Sequence, residues 1–280
     1  MKIRPATAVD VATAPDWLEG VDLRPDRWRD QWTRAAVGFD AETKALLAVG
    51  RIFTSRVHDD RYWTEIMVAP PLRRRGHGTR IAEHLATLRP DPWPMCDRGF
   101  VGTERVLFSR SLGALPYQTC PPEHVRTADA AGLATSGAVQ TQRGTDVGIN
   151  ELRRAWVDLY AWMHADWSPV AAGFEESLLE DFQDVDLVHT RVVVVDGQIR
   201  AGAFVFPDEP HPVVVAECRT RTETNGLMLL RACVRDSLLS LSVSNVTDVD
   251  FDGHDTDRHF RPLLQEIPAS GTAFELLEWN

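Results

Sequence analysis

Between residues 62 and 88 the chain sets an extended apolar run, a basic loop holding two glycines and a helical pattern end to end, and few folds accommodate that succession. Tyr62 to Val68 reads as a strand stopped by Pro70. Arg73, Arg74 and Arg75 precede Gly76 and Gly78, and a helix opens near Thr79 with Ile81, Leu85 and Leu88 on one face. Gly76 and Gly78 permit backbone angles that side chains forbid, so the N–H groups of Arg74 to Thr79 can converge on one point at the positive end of that helix. A phosphate oxygen fits there. The three arginines add charge around the same point, which suits a pyrophosphate or a 3′-phosphate better than a neutral ligand.

Two other phosphate loops are excluded by spacing. There is no Gly-x-x-x-x-Gly-Lys-Ser/Thr, and no Gly-x-Gly-x-x-Gly after a strand with an acidic residue about twenty positions on.

Val68-Ala69-Pro70-Pro71-Leu72-Arg73-Arg74-Arg75-Gly76-His77-Gly78 resembles the central motif of the GNAT acetyltransferases, Val-x-Pro-x-x-Arg/Gln-x-x-Gly-x-Gly/Ala. The resemblance implies acetyl-CoA as cofactor. It gives Met67 and Val68 a place along the pantetheine arm, and Arg73, Arg74, Arg75, Gly76, His77, Gly78 and Thr79 a place around the pyrophosphate. Ala45 to Arg56 reads as the strand before the motif, with His58 to Asp60 as the turn. Thr103 to Leu112 reads as a helix ending at Gly113. Phe108-Ser109-Arg110-Ser111-Leu112-Gly113 is similar to the family's Phe-Tyr-x-x-Leu-Gly, with Ser109 where the tyrosine that protonates the departing thiolate commonly stands. Ser109 or Tyr117 is then the proton donor, unless solvent suffices.

Acetyl transfer from a thioester to an amine needs a neutral nucleophile and a polarised carbonyl. Glu65, three residues before Val68, stands where some members of that family place the carboxylate that takes the amine's proton. The amide near Val68 would hold the carbonyl oxygen.

A second constraint is repetition. From about residue 190 the chain gives two strands around the hairpin signal Asp196-Gly197, a strand over Pro212 to Arg219, a helix over Gly226 to Leu241 with Leu227, Leu230, Val234, Leu238 and Leu241 in one stripe, and a strand over Val246 to Phe251. Residues 34 to 98 follow the same order. The fold class expected is α/β (α+β): two tandem GNAT-like domains, each a mixed, mostly antiparallel twisted sheet flanked by helices. The small-residue stretch Thr127 to Gly137 puts the boundary near 133, giving an acetyl-CoA-binding catalytic domain over 1–133 and a degenerate copy over 134–280. In that copy the loop Thr220 to Gly226 has one glycine and an acid, Glu223, that would oppose a pyrophosphate. The helix pattern from Ile149 to His164 carries an aromatic stripe read as core.

The remaining features narrow the class. A net charge of −11 over 280 residues argues against a nucleic-acid partner. No apolar run reaches the length of a membrane span, and the start lacks a signal-peptide pattern, so a cytoplasmic protein is expected. Cys96, Cys120, Cys218 and Cys233 are scattered without a paired motif. Asp248, Asp250 and Asp252 imitate the start of a calcium loop, but position twelve is His259 rather than glutamate, so no metal is expected. The expected activity is acetyl-CoA-dependent N-acetylation of a small-molecule primary amine. The alternatives are a non-catalytic CoA-binding module, or acetylation of a protein amine or of a thiol-cofactor precursor such as that of mycothiol. A homodimer is left open.

Overall fold

The computed structural model of the protein describes residues 1–18, 22–134, 137 and 139–280. The first elements are β1 (Lys2–Pro5), α1 (Ala8–Ala12), β2 (Arg34–Phe39), β3 (Leu46–Phe53), β4 (Tyr62–Val68), α2 (His77–Ala86), β5 (Met95–Phe100), α3 (Glu104–Ser111) and β6 (Leu115–Cys120). They are followed by β7 (His124–Arg126), β8 (Gln142–Arg143), α4 (Ile149–His164), α5 (Phe174–Asp181), β9 (Arg191–Val195), β10 (Gln198–Phe206), β11 (Val213–Cys218), α6 (Gly226–Val243), β12 (Asp248–Phe251), α7 (Phe260–Leu264) and β13 (Phe274–Trp279). One sheet has the strand order β1-β2-β3-β4-β5-β13-β6 and the other β7-β12-β11-β10-β9-β8.

The chain divides into two compact units, Met1–Pro116 with Leu276–Asn280, and Tyr117–Glu275. A division near residue 133, expected from the small-residue stretch, is therefore not where the units part. Two interactions explain the difference. β7 lies before that stretch yet pairs antiparallel with β12, and Val125, Ala130 and Leu133 are buried in the core of the second unit. The last five residues belong to the first unit, where Leu277 and Trp279 enter its core. Thr135 and Ser136, near the end of the stretch, lie outside the described residues.

In the first unit the four-residue spacing of Ile81 and Leu85 puts both on the buried face of α2, where they meet Ile52, Tyr62 and Met95, all fully buried. Each such side chain contributes about 1.5–3 kcal/mol of transfer free energy. Gly50 on β3 lets the helix come that close, since a side chain there would collide with Ile81. The other face of this sheet buries Ala35, Val37 and Val49 with Leu18, Leu23 and Met67.

In the second unit the β9–β10 hairpin turns on Asp196 and Gly197, both with positive φ (51° and 76°) as a two-residue turn of this hand requires. Of the expected stripe, α6 buries Leu230, Val234, Leu238 and Leu241 and leaves Leu227 only partly buried; it also buries Leu229, Ala232, Cys233 and Ser237, so most of its circumference is covered. The strand-strand-strand-helix-strand order of β2 to β5 recurs in β9 to β12, down to the parallel pairing of β11 with β12 that matches β4 with β5. Asp248 and Asp250 form one face of β12, and His124 lies 3.4 and 2.9 Å from them. Among the described residues no helix is long and apolar enough to cross a membrane.

Candidate active site

β4 is the strand on which the site is built. Its ladder with β3 runs from Trp63 opposite Phe53 to Val68 opposite Ala48. Its ladder with β5 consists only of Tyr62 with Met95 and Trp63 with Cys96, so the two parallel strands part beyond Trp63. Ala69 N–H donates to the Leu47 carbonyl at 3.0 Å. Because antiparallel pairs alternate, the backbone groups of Val68, Ile66 and Thr64 then point away from β3 and into the gap. Met67 gives its own backbone to β3 and its side chain to the cluster with Val37 and Val49. Of the two residues expected along a pantetheine arm, Val68 is the one that offers the gap an amide.

The loop that follows has the backbone the glycines predict. Arg74 has φ +61° and Gly76 φ +78°, and Gly76 caps α2. The first helical hydrogen bond is Arg80 N–H to the Gly76 carbonyl at 3.2 Å, and among the described residues the amides of Arg74 to Thr79 find no acceptor. These orphan donors sit at the positive end of the helix dipole. A Cβ at Gly76 would meet nothing within 4 Å, so the cradle is open, whereas one at Gly78 would lie 3.1 Å from the Phe108 ring and 3.5 Å from Val68. Gly78 thus seats α2 against β4 and α3. Arg73, Arg74 and Arg75 are exposed around the loop, Arg73 lying 3.3 Å from Glu104. Burial, with the nearby chain terminus, Arg80 and Arg75, holds the His77 imidazole below its ordinary pKa. Neutral, it can donate a hydrogen bond without adding charge. These residues, expected from sequence to gather, do gather.

The two expected catalytic side chains fare differently. Glu65 faces the side of the sheet opposite α2 and is joined to Arg51, its direct cross-strand neighbour, at 2.7 and 2.8 Å. Its side chain keeps 34% of its exposure. Arg51 also holds Asp22 at 2.8 Å and lies over the rings of Phe53 and Trp28 at 5.1 and 5.7 Å. Ser109 is buried, and its hydroxyl donates to Asp97 Oδ2 at 2.6 Å while Arg105 pairs with the other oxygen. That network ties α3 to β5 and leaves Ser109 no exposed proton to give. Tyr117 belongs to the second unit, where its ring packs against Trp167 at 6.0 Å.

The second unit has the same crevice in outline, filled from within. The Cys218 N–H donates to Glu217 Oε1 at 2.6 Å and the Cys218 carbonyl accepts the Trp162 indole N–H at 3.0 Å. Glu217 accepts the amides of His259 and Phe260, both at 3.0 Å, and pairs with His259 Nδ1 at 2.6 Å. His259 Nε2 reaches the Glu223 carbonyl at 3.1 Å, while the Glu223 carboxylate pairs with Arg200 at 2.6 Å. Burial alone would lower the His259 pKa, but the Glu217 carboxylate raises it above the ordinary value. Both ring nitrogens face oxygen atoms of Glu217 and Glu223, so where Glu217, Cys218 and His259 come together each nitrogen of the histidine is already engaged within the protein. The sequence signals none of this filling except Glu223, because its other members are far apart along the chain: Trp162 on α4, Arg200 on β10, Glu217 and Cys218 on β11, and His259 and Phe260 after β12.

Compared with known proteins, the sequence matches no family model and no curated protein. The fold does have relatives. A GCN5-related N-acetyltransferase from Sphaerobacter thermophilus superposes with a TM-score of 0.57 at 14% identity, over 99% of this chain and 95% of that one. A tandem GNAT protein from the clavulanic acid biosynthesis pathway superposes with a TM-score of 0.56 at 13% identity, over 99% and 98%. The chain has the tandem GNAT fold. A probable N-acyltransferase from Enterococcus faecalis V583, with a TM-score of 0.56 at 12% identity over 99% of this chain and 71% of that one, shares it. Within the tandem GNAT fold, the parting of β4 from β5 and the loop at α2 are where the first unit offers unpaired backbone donors.

Proposed function

We propose that the protein is an acetyl-CoA-dependent N-acetyltransferase whose chemistry lies in the first unit and whose acceptor is a small-molecule primary amine. One observation carries this reading: the open cradle of amides from Arg74 to Thr79 lies one short loop beyond a strand edge whose Val68 amide is unpaired by β5. The cradle fits a pyrophosphate by charge and by space, and the strand edge fits an amide-containing arm. When bound, acetyl-CoA supplies the activated acyl group as a thioester. Arg73, Arg74, Arg75 and the loop amides hold its phosphates. The Val68 N–H is the donor for a carbonyl oxygen in the gap. Glu65, fixed by Arg51 and still partly open to solvent, takes the proton that the acceptor ammonium must lose, directly or through water. Ser109 is committed to Asp97, so solvent protonates the thiolate.

The Arg51 clamp on Glu65 favours a second reading, a CoA-binding module without turnover. Acetylation of a protein amine or of a thiol-cofactor precursor would use the same cradle with another acceptor. Native mass spectrometry of the purified chain, followed by assay of free-thiol release from acetyl-CoA across a panel of small amines, separates these. One bound CoA with amine-dependent thiol release supports the transferase. Binding without release for any amine supports the module, and no binding defeats both.

A further inference from the structure

A cavity of about 580 Å³ opens in the second unit between β8, β9 and the C-terminal turns of α6. Arg143 and Arg191 line it, and in the β8–β9 ladder they are directly opposite one another. Gly144 N–H donates to the Thr190 carbonyl at 3.1 Å, so the neighbouring Arg143–Arg191 position is of the non-hydrogen-bonded kind, in which facing side chains come closest. Like charges so placed repel.

Neither guanidinium has a carboxylate partner within 4 Å among the described residues. Arg191 keeps only 8% of its exposure, and it spends Nη1 on the carbonyls of Val188 and Thr190 at 2.6 and 2.9 Å. Its Nε and Nη2 find no acceptor among the described residues and keep the little exposure this side chain has, so they are the atoms free to meet a ligand from the cavity. Burial, and then the charge of Arg143, hold the Arg191 pKa below its ordinary value. A nearly buried cation facing a second cation is costly unless an anion completes it.

The surroundings narrow that anion. Asp236, which accepts the Thr141 hydroxyl at 2.7 Å, and Asp146 also line the cavity and oppose a highly charged ligand such as a pyrophosphate. The rim is apolar and exposed: Val188 at 55%, Leu239 at 36% and Val243 at 86%. We propose that this cavity binds a small organic carboxylate, its oxyanion held between Arg143 and Arg191 and its apolar body resting on Val188, Leu239 and Val243. The inference is independent of the acyl-transfer reading, which concerns the first unit.

Calorimetry on the full chain at neutral pH with hexanoate, acetate, hexan-1-ol and inorganic phosphate as probes tests it. Hexanoate is expected to bind about tenfold or more tightly than each of the other three. Arg143→Ala, at an exposed position, and Val243→Asp, at the rim, are each expected to weaken hexanoate by about tenfold while leaving the circular dichroism spectrum and the melting temperature at wild-type values, which certifies that the variants are folded. Hexanoate binding no tighter than acetate, or binding that survives both substitutions, overturns the proposal. So does phosphate binding more tightly than hexanoate, which would make the site one for inorganic or phosphoryl anions.

Discussion

Glu65 and Arg51 stand opposite each other on β4 and β3, and the guanidinium that clamps Glu65 at 2.7 Å also holds Asp22 and two aromatic rings. The carboxylate is therefore presented by a strand and fixed by a partner that is itself fixed, and removing each partner in turn separates a proton acceptor from a structural pair. Glu65→Gln should lower kcat/KM by about 10²-fold, the scale of lost general-base help, with acetyl-CoA affinity unchanged. Arg51→Gln, which removes the clamp and keeps the carboxylate, should retain more activity than Glu65→Gln. Steady-state kinetics giving the reverse order would assign the pair a structural role.

The cradle at Gly76 makes a different prediction, because a Cβ there meets no atom yet φ is +78°. Gly76→Ala should cost only the backbone strain, about 1 kcal/mol of stability. Gly76→Asp adds a negative charge among the amides and should weaken acetyl-CoA by about tenfold or more, roughly 1.4 kcal/mol. Calorimetry showing equal affinity for Gly76→Asp and Gly76→Ala would remove the pyrophosphate from this loop.

These sites were unequally legible in the sequence. The nest could be read because it is local: Arg73 to Thr79 are contiguous, and their backbone follows from two glycines and a helix start. The repeat could be read because strand alternation and the α6 stripe are periodic. Arg51 as the partner of Glu65 needed the register of β3 on β4, which rests on how residues 54 to 61 turn. Ser109 looked available because the Asp97 that consumes its hydroxyl sits twelve positions away on another element. The unit boundary was missed because β13 returns to the first sheet from the far end of the chain, a pairing that leaves no local trace.

Gly226 and Gly76 open corresponding helices, yet a Cβ on Gly226 would collide with the His259 imidazole. The second crevice is occupied by Glu217, Trp162 and His259, so titration with acetyl-CoA should saturate at one equivalent per chain. Gly226→Ala should destabilise the protein by about 1–3 kcal/mol, the usual cost of overpacking, whereas Gly76→Ala does so only through its backbone. Two equivalents bound, or a Gly226→Ala variant as stable as the wild type, would show that the crevice opens.

The groups that fill the second unit also set its response to pH. His259 and His254 both have pKa values raised above the ordinary 6.5, burial opposing and Glu217 or Asp257 prevailing. Glu123 is pushed up to about 10 by burial and by Asp252, and burial raises Asp257 as well. In each case the folded chain binds its proton more tightly than the unfolded chain. The stabilisation from the histidines is complete below 6.5 and is lost as pH rises through their folded values, while Glu123 acts from 4.5 up to about 10. His77 and His84 in the first unit, lowered chiefly by burial, have the opposite sign, but they are neutral in both states above about pH 7 and drop out there. Melting temperature should therefore fall between about pH 7 and 9, with each 1 kcal/mol lost appearing as about 2–4 °C for a unit of this size. Glu123→Gln, which keeps the acceptor for Gly253 N–H and cannot ionise, should melt higher at neutral pH and show a shallower slope. A wild-type profile that is flat or rising over that interval would mean that these carboxyl and imidazole protons are not held in the folded state.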